Sequence, residues 1–89
     1  MKIVFREKFH KDIENINDND VLESIAKSIE NVEKAQKPQE IHNIKKIKGD
    51  KTAFRIRIGK YRIGIYIIKG VVEFTRVLAR DKIYNNFPD

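Results

Sequence analysis

No cysteine occurs anywhere in the 89 residues. That excludes a disulfide framework and any thiolate-rich zinc site. Histidine is nearly as scarce: His10 and His42 are the only two, far apart in the chain. A histidine-built metal centre or a serine–histidine triad has little to draw on. No apolar run is long enough to span a membrane, and no signal-peptide pattern opens the chain. The expectation is a soluble, cytoplasmic protein with no membrane partner, no metal and no cofactor. Internal repeats, low-complexity stretches and linkers are also missing. A chain of this length suits one domain, 1–89, with one modest core.

Charge is present in quantity and is unevenly placed. Residues 1–40 hold seven Lys/Arg and nine Asp/Glu, a net of −2. Residues 41–89 hold twelve Lys/Arg and four Asp/Glu, a net of +8. A basic half on a near-neutral scaffold is the electrostatic footprint of a nucleic-acid binder. The alternative is a solvated basic surface.

The densest signal is the stretch FRIRIGKYRIGIY, Phe54 to Tyr66. Alternation puts Phe54, Ile56 and Ile58 on one face of a strand and Arg55 and Arg57 on the other. Gly59-Lys60 fits a two-residue hairpin turn. In that register Ile58 faces Tyr61, Arg57 faces Arg62, Ile56 faces Ile63 and Arg55 faces Gly64. Two arginines are then directly opposed, with a third one step along. Like charges across a sheet are destabilising. Three of them together point to an anionic ligand, and the guanidinium fork suits phosphate best.

Elsewhere the pattern predicts a short strand over Lys2–Phe5 and a short helix carrying Phe9, Ile13 and Ile16 on one face. Asn17-Asp18-Asn19-Asp20 has turn and helix-cap chemistry. A longer helix follows, with Val21, Leu22, Ile25, Ala26, Ile29 and Val32 as its apolar stripe, stopped by Pro38. The pairs Glu23–Lys27 and Glu30–Lys34 support its wet side. Ile41, Ile44 and Ile47 recur every third residue among lysines, which reads as an irregular arm or a single helical turn. Three strands are predicted at about 52–58, 61–68 and 71–78, with Lys69-Gly70 as a tight turn. Residues 80–87 form a short tail, irregular or a single helical turn, ended by Pro88. The fold class is α+β with two layers, in the order β-α-α-β-β-β. The helical hairpin packs on the apolar face of an antiparallel sheet. The other face, bearing Arg55, Arg57 and Arg62, is left open.

Three segments together carry a resemblance: IKKIKGD (Ile44–Asp50), FRIRIGKYRIGIY (Phe54–Tyr66) and RVLARDKIYNNFP (Arg76–Pro88). In order and spacing the chain resembles the RelE/ParE toxin superfamily of bacterial and archaeal toxin–antitoxin systems, over nearly its whole length. The resemblance implies a RelE-like fold. For RelE-like members it also implies a ribosome-dependent endoribonuclease that cuts messenger RNA in the ribosomal A site without metal and so inhibits translation. There the RNA 2′-hydroxyl attacks the adjacent phosphate, giving a 2′,3′-cyclic phosphate and a free 5′-hydroxyl. Two basic residues on the first hairpin strand carry over to Arg55 and Arg57, and the arginine of the YR step to Arg62. The arginine before the last turn falls on Arg80, and the C-terminal tyrosine on Tyr84. The implied partners are a cognate antitoxin, forming a toxin–antitoxin hetero-oligomer, and the ribosome with its messenger RNA. The chain departs from the pattern in two places. RelE itself has lysines where Arg55 and Arg57 stand, and many relatives have a histidine at the place of Ala79.

Metal-free RNA cleavage needs positive donors on the phosphate, a proton acceptor for the 2′-hydroxyl and a proton donor for the leaving 5′-oxygen. Arg57 and Arg62 are suited to clamp the phosphate oxygens, and Arg80 to reach the same phosphate or the leaving oxygen. Arginine keeps its proton, so Tyr84 is the remaining group for proton transfer. Stacking of Tyr84 on a base is an equal alternative. Lys45, Lys46, Lys48, Lys51 and Lys60 are expected to make diffuse RNA phosphate contacts, with Arg55 beside them.

Each residue also has a plainer reading. Arg55 and Arg57 fit the wet face of an edge hairpin. Arg80 can pair with Asp81, Tyr84 can be a packing residue, and Arg76, read as structural, can pair with Glu73. Tyr61 and Tyr66 are read as sheet packing, and His10 and His42 as exposed. Two other functions share the fold: a ParE-like DNA gyrase inhibitor without nuclease activity, and a catalytically inactive antitoxin-binding module.

Overall fold

The computed structural model describes residues 1–88. In chain order its elements are β1 (Lys2–Phe5), α1 (Glu7–Glu14), α2 (Asn19–Lys34), a short 3₁₀ turn (Pro38–Glu40), β2 (Ile44–Lys46), β3 (Ala53–Ile58), β4 (Tyr61–Ile68), β5 (Val71–Ala79) and α3 (Arg80–Asn86). The five strands form one sheet in the order β1-β5-β4-β3-β2. All neighbours are antiparallel except β1 and β5, which run parallel. The α+β architecture expected from the sequence is present, with the helical hairpin α1–α2 on one face of the sheet.

Local chemistry sets the helix ends. The Asp18 carboxylate accepts from the Asp20 and Val21 amides and caps α2. Ile25 and Val32 of the predicted stripe are buried, Val21, Leu22 and Ile29 half-buried, and Ala26 exposed. The helix ends at Lys34, before Pro38, which opens the 3₁₀ turn instead. The Met1 α-ammonium donates to the carbonyls of Val32, Glu33 and Ala35 at the C-terminal end of α2.

The main core lies between the hairpin and the sheet. Ile56, Ile63, Ile65, Val72, Phe74 and Val77 meet Phe9, Ile16, Ile25 and Val32 there. Asp12 of α1 is buried within this layer and ties it to β5. Its carboxylate accepts from Arg76 Nε at 2.8 Å, Arg76 Nη2 at 3.1 Å and the Val77 amide at 2.9 Å. Arg76 therefore pairs with Asp12, while Glu73, the neighbour suggested by the sequence, is taken by Arg6.

Two segments differ from the sequence-based reading. The lysine-rich arm is a strand: Ile44, Lys45 and Lys46 pair with Ile56, Arg55 and Phe54. Isoleucines three apart lie on opposite faces of an extended chain. Ile44 accordingly packs against the main core and Ile47 against a second cluster. The turn after it is held by Asp50, which accepts from the Thr52 amide, the Thr52 hydroxyl and the Ala53 amide. The Thr52 amide, then its hydroxyl, keep the Asp50 carboxyl below its ordinary pKa. That preference for the charged form supports the turn at neutral pH and is lost as pH falls through the lowered value.

The second difference is the far face of the sheet, which α3 covers in part. Ile83 and Phe87 are fully buried with Ala53, against Ile47, Tyr66 and Leu78. Phe87 lies on the backbone of β4 at Gly64. A Cβ placed there would sit 2.7 Å from Cγ and Cδ2 of the ring and 3.0 Å from Cδ1. The Tyr66 ring flanks it, with centroids 4.9 Å apart. Only a residue with no side chain lets α3 approach this closely.

Two stability tests follow from these contacts. Asp12→Ala removes a carboxylate only 8% exposed and is expected to lower unfolding free energy by about 3–5 kcal/mol. Glu73→Ala at the pair with Arg6, whose side chain is 61% exposed, should cost less than about 1 kcal/mol. Urea denaturation compares them, and equal losses would refute the role given to Asp12. Gly64→Ala should destabilise by about 1–3 kcal/mol. Amide exchange should accelerate in α3 while β3 and β4 stay protected; unchanged protection of α3 would overturn the docking contact.

Candidate functional site

The site is built on the β3–β4 hairpin. Gly59 adopts φ 55° in its turn, a left-handed geometry that glycine reaches at little steric cost. The register is the one the alternation predicts: Ile58 opposite Tyr61, Arg57 opposite Arg62, Ile56 opposite Ile63, Arg55 opposite Gly64. Arg55, Arg57 and Arg62 thus share the face on which α3 docks.

Arg62 is buried, at 8% exposure. Its Nη1 donates to the Gly59 carbonyl at 2.8 Å and the Tyr61 carbonyl at 2.9 Å. Those bonds fix the guanidinium over the turn and use two of its five N–H donors, leaving three. Burial holds the Arg62 pKa below the ordinary arginine value, and Arg55, Arg80 and Arg57 push the same way, while Tyr84 opposes them. Arginine nonetheless stays charged at any physiological pH. The Nε–H of Arg55 is also buried and meets no hydrogen-bond partner among the described residues. Such a donor is costly to leave unmade and is ready for an acceptor from outside the chain.

The second half of the site comes from the end of β5. Ala79 pairs with Tyr61, so Arg80 emerges beside the hairpin turn, where its amide donates to the Lys60 carbonyl at 2.9 Å. Arg80 and Tyr84 stand four residues apart on α3 and share one side of it. With Ile83 and Phe87 facing the sheet, docking of α3 carries Arg80 and Tyr84 to the arginines of β3 and β4. Arg57 and Arg80 are exposed, and Tyr84 is 55% exposed. Arg80 forms no ion pair with Asp81 among the described residues.

The lysines are more dispersed. Lys45 lies opposite Arg55 and extends the arginine face to the sheet edge. Lys46 lies opposite Phe54, on the other face, so it is not part of the cluster. With Lys48 and Lys51 it surrounds the turn at Asp50 instead. Lys60 lines an open hollow with Gly59, Ala79, Arg80 and Asp81, adjoining the cluster. Tyr66 packs on Phe87, and Tyr61 lies against the main core. No group of three or more His, Asp or Glu side chains is placed to hold a metal ion among the described residues.

Sequence reasoning missed Gly64, Phe87 and Asp12. The pair Ile83 and Phe87, spaced four apart, was the available sign of an apolar helix face. Chemically, the arrangement offers several fixed or exposed cationic donors and one phenol around a single place. Such donors suit an oxyanion of phosphate size better than an apolar ligand.

No protein-family model matches the chain. A curated relative, "Toxin RelE3" of Methanocaldococcus jannaschii, is 37% identical over 89 residues, covering 99% of this chain and 100% of the relative. The crystal structure of a RelB–RelE antitoxin–toxin complex from Methanococcus jannaschii superposes with a TM-score of 0.79 at 35% identity, covering 96% of this chain and 99% of that one. An archaeal RelE–RelB complex from Pyrococcus horikoshii OT3 shares the fold, with a TM-score of 0.73 at 15% identity over 92% of this chain and 97% of its own. Identity on this scale along the full length places the chain in the RelE family of toxins, within the RelE/ParE superfamily.

Proposed function

We propose that this toxin is a ribosome-dependent endoribonuclease that cuts messenger RNA and inhibits translation in the cytoplasm. The observation that carries the reading is the gathering of cationic side chains at one hairpin: Arg57 opposite the buried Arg62 in the ladder, and Arg80 held at the same turn through its amide bond to the Lys60 carbonyl. Like charges gathered this closely oppose folding unless an anion joins them. A phosphodiester supplies that anion, and its negative charge grows as a fifth oxygen adds to phosphorus. Fixed cationic donors then bind the transition state more strongly than the ground state.

In this reading the 2′-oxygen forms a bond to phosphorus as the bond to the 5′-oxygen breaks. Arg62, anchored by the Gly59 and Tyr61 carbonyls, and Arg57 hold the non-bridging oxygens. Arg80 neutralises the phosphate or the leaving oxygen. Tyr84, in its phenolate form, accepts the 2′-hydroxyl proton, and the departing 5′-oxygen takes a proton from water. Ala79 brings no acid or base to the site. The exposed positions of Arg57, Arg80 and Tyr84 leave the strand itself to be held elsewhere, a role assigned to the ribosome. A cognate antitoxin is the other proposed partner, and its acidic segments would complement the half of the chain with net charge +8.

Arg80→Ala is the cleaner test, because Arg62 also ties the hairpin turn. It should reduce cleavage by about 100-fold or more and abolish growth arrest on induced expression. Mapped message ends should then lose cuts at codon positions; full toxicity of the variant would reject the site. Double-strand DNA breaks with intact messages would identify the ParE-like gyrase inhibitor instead. Tyr84→Phe should slow cleavage by about 100-fold or more while RNA affinity holds. Equal losses of cleavage and affinity would make Tyr84 a base-stacking residue.

A further inference from the structure

One polar stripe of α2 belongs neither to the core nor to the arginine cluster. Ser24, Lys27, Ser28 and Asn31 recur at i, i+3, i+4 and i+7, and so share a face. A cavity of about 300 Å³ lies between this stripe, the turn at His42 and Asn43, and the end of β3 at Arg57.

Two hydrogen bonds fix its walls. The His42 amide donates to Asn31 Oδ1 at 2.9 Å, and the Arg57 amide donates to the Asn43 carbonyl at 3.2 Å. Asn43 makes the turn in a left-handed conformation, φ 63°, which asparagine tolerates better than most residues. The lining chemistry is that of an anion site. Lys27 and the His42 ring offer cationic or N–H donors, and Ser24 and Ser28 offer hydroxyls. Among the described residues no carboxylate lines it. Lys27 does meet Glu23 at 3.4 Å, but that pair is solvent-exposed and of a weak kind.

Arg57 is the decisive residue, because it belongs to two places at once. In the ladder it stands opposite Arg62, within the cluster; at the sheet edge it lines this cavity. A strand held at the cluster therefore has a continuous basic path around the β3 edge to α2. We propose that the cavity is a second RNA subsite, holding a phosphodiester adjacent to the one gripped by the arginines. The inference rests on the nuclease reading above and extends it. Among the described residues no Phe, Tyr or Trp lines the cavity, and the His42 imidazole serves there as an N–H donor, so the lining suits sugar and phosphate rather than a stacked base. Its binding is therefore independent of sequence.

The test uses 2′-O-methyl RNA, which lacks the attacking hydroxyl, as a dinucleotide with one phosphodiester and as a hexanucleotide. Affinity is measured by chemical-shift titration across salt concentrations. The double variant Lys27→Ala/His42→Ala, at two exposed positions, should weaken the hexanucleotide by about tenfold. Its salt slope should fall by about 0.7 per lost phosphate contact. Dinucleotide affinity should be unchanged. Arg80→Ala should weaken both probes. Wild-type affinity and slope for the hexanucleotide in the double variant, with Arg80→Ala still weakening both probes, would overturn the second subsite alone. No effect of Arg80→Ala on either probe would instead overturn the nuclease reading. Equal weakening of both probes by the double variant would also reject the cavity as a separate subsite. So would shifts at Ser28 and Asn31 caused by an acidic peptide but not by the hexanucleotide.

Discussion

The contact on which the candidate site depends is apolar. Phe87 rests on the bare backbone of Gly64, and that close approach docks α3 on the sheet. Without it, Tyr84 would lose the docked helix that sets it beside Arg57 and Arg62, and Arg80 would keep only its amide bond to the Lys60 carbonyl. A helix of seven residues is too short to persist alone in water. Its order therefore comes from burial of Ile83 and Phe87, and those two side chains set the positions of Arg80 and Tyr84 beside them on the helix. A hydrophobic cluster places the electrostatic one.

The electrostatic cluster works against the fold that carries it. Arg62 is desolvated and surrounded by Arg55, Arg57 and Arg80. Such an arrangement stands only because the rest of the molecule over-determines it: the main core beneath the sheet, the Asp12 pair tying α1 to β5, and the carbonyls that accept from Arg62. Local conflict of this kind is a signature of function, since a sequence selected for stability alone would relieve it.

The hairpin was readable from sequence because two independent signals agreed. Alternation set the faces and Gly59-Lys60 set the turn, so each pair across the ladder was determined. The long helix was readable for the same reason, with Asp18 marking its start and the apolar stripe its face. The lysine-rich arm was not. A spacing of three isoleucines suits one face of a helix, or two opposite faces of a strand with a core on each side, and the second core was invisible without α3. Gly64 read only as the partner of Arg55, because a glycine in a strand does not announce what approaches it. Arg76 had Glu73 nearby in sequence, yet the sheet brought it to Asp12, 64 positions away. Lys46 followed from the arm: once Ile44–Lys46 is a strand, Lys45 and Lys46 must face opposite ways, and only one can join the arginines.

The two carbonyl bonds to Arg62 also bear on the entropy of capture. A free arginine side chain carries about 2 kcal/mol of rotamer freedom, which binding would ordinarily have to quench. Here folding has already frozen that motion, so an arriving anion meets an immobile partner and loses little further disorder there. Arg57 and Arg80 are exposed at the rim; on the proposed nuclease reading, they are the arginines left with rotamer freedom to follow a reacting phosphorus.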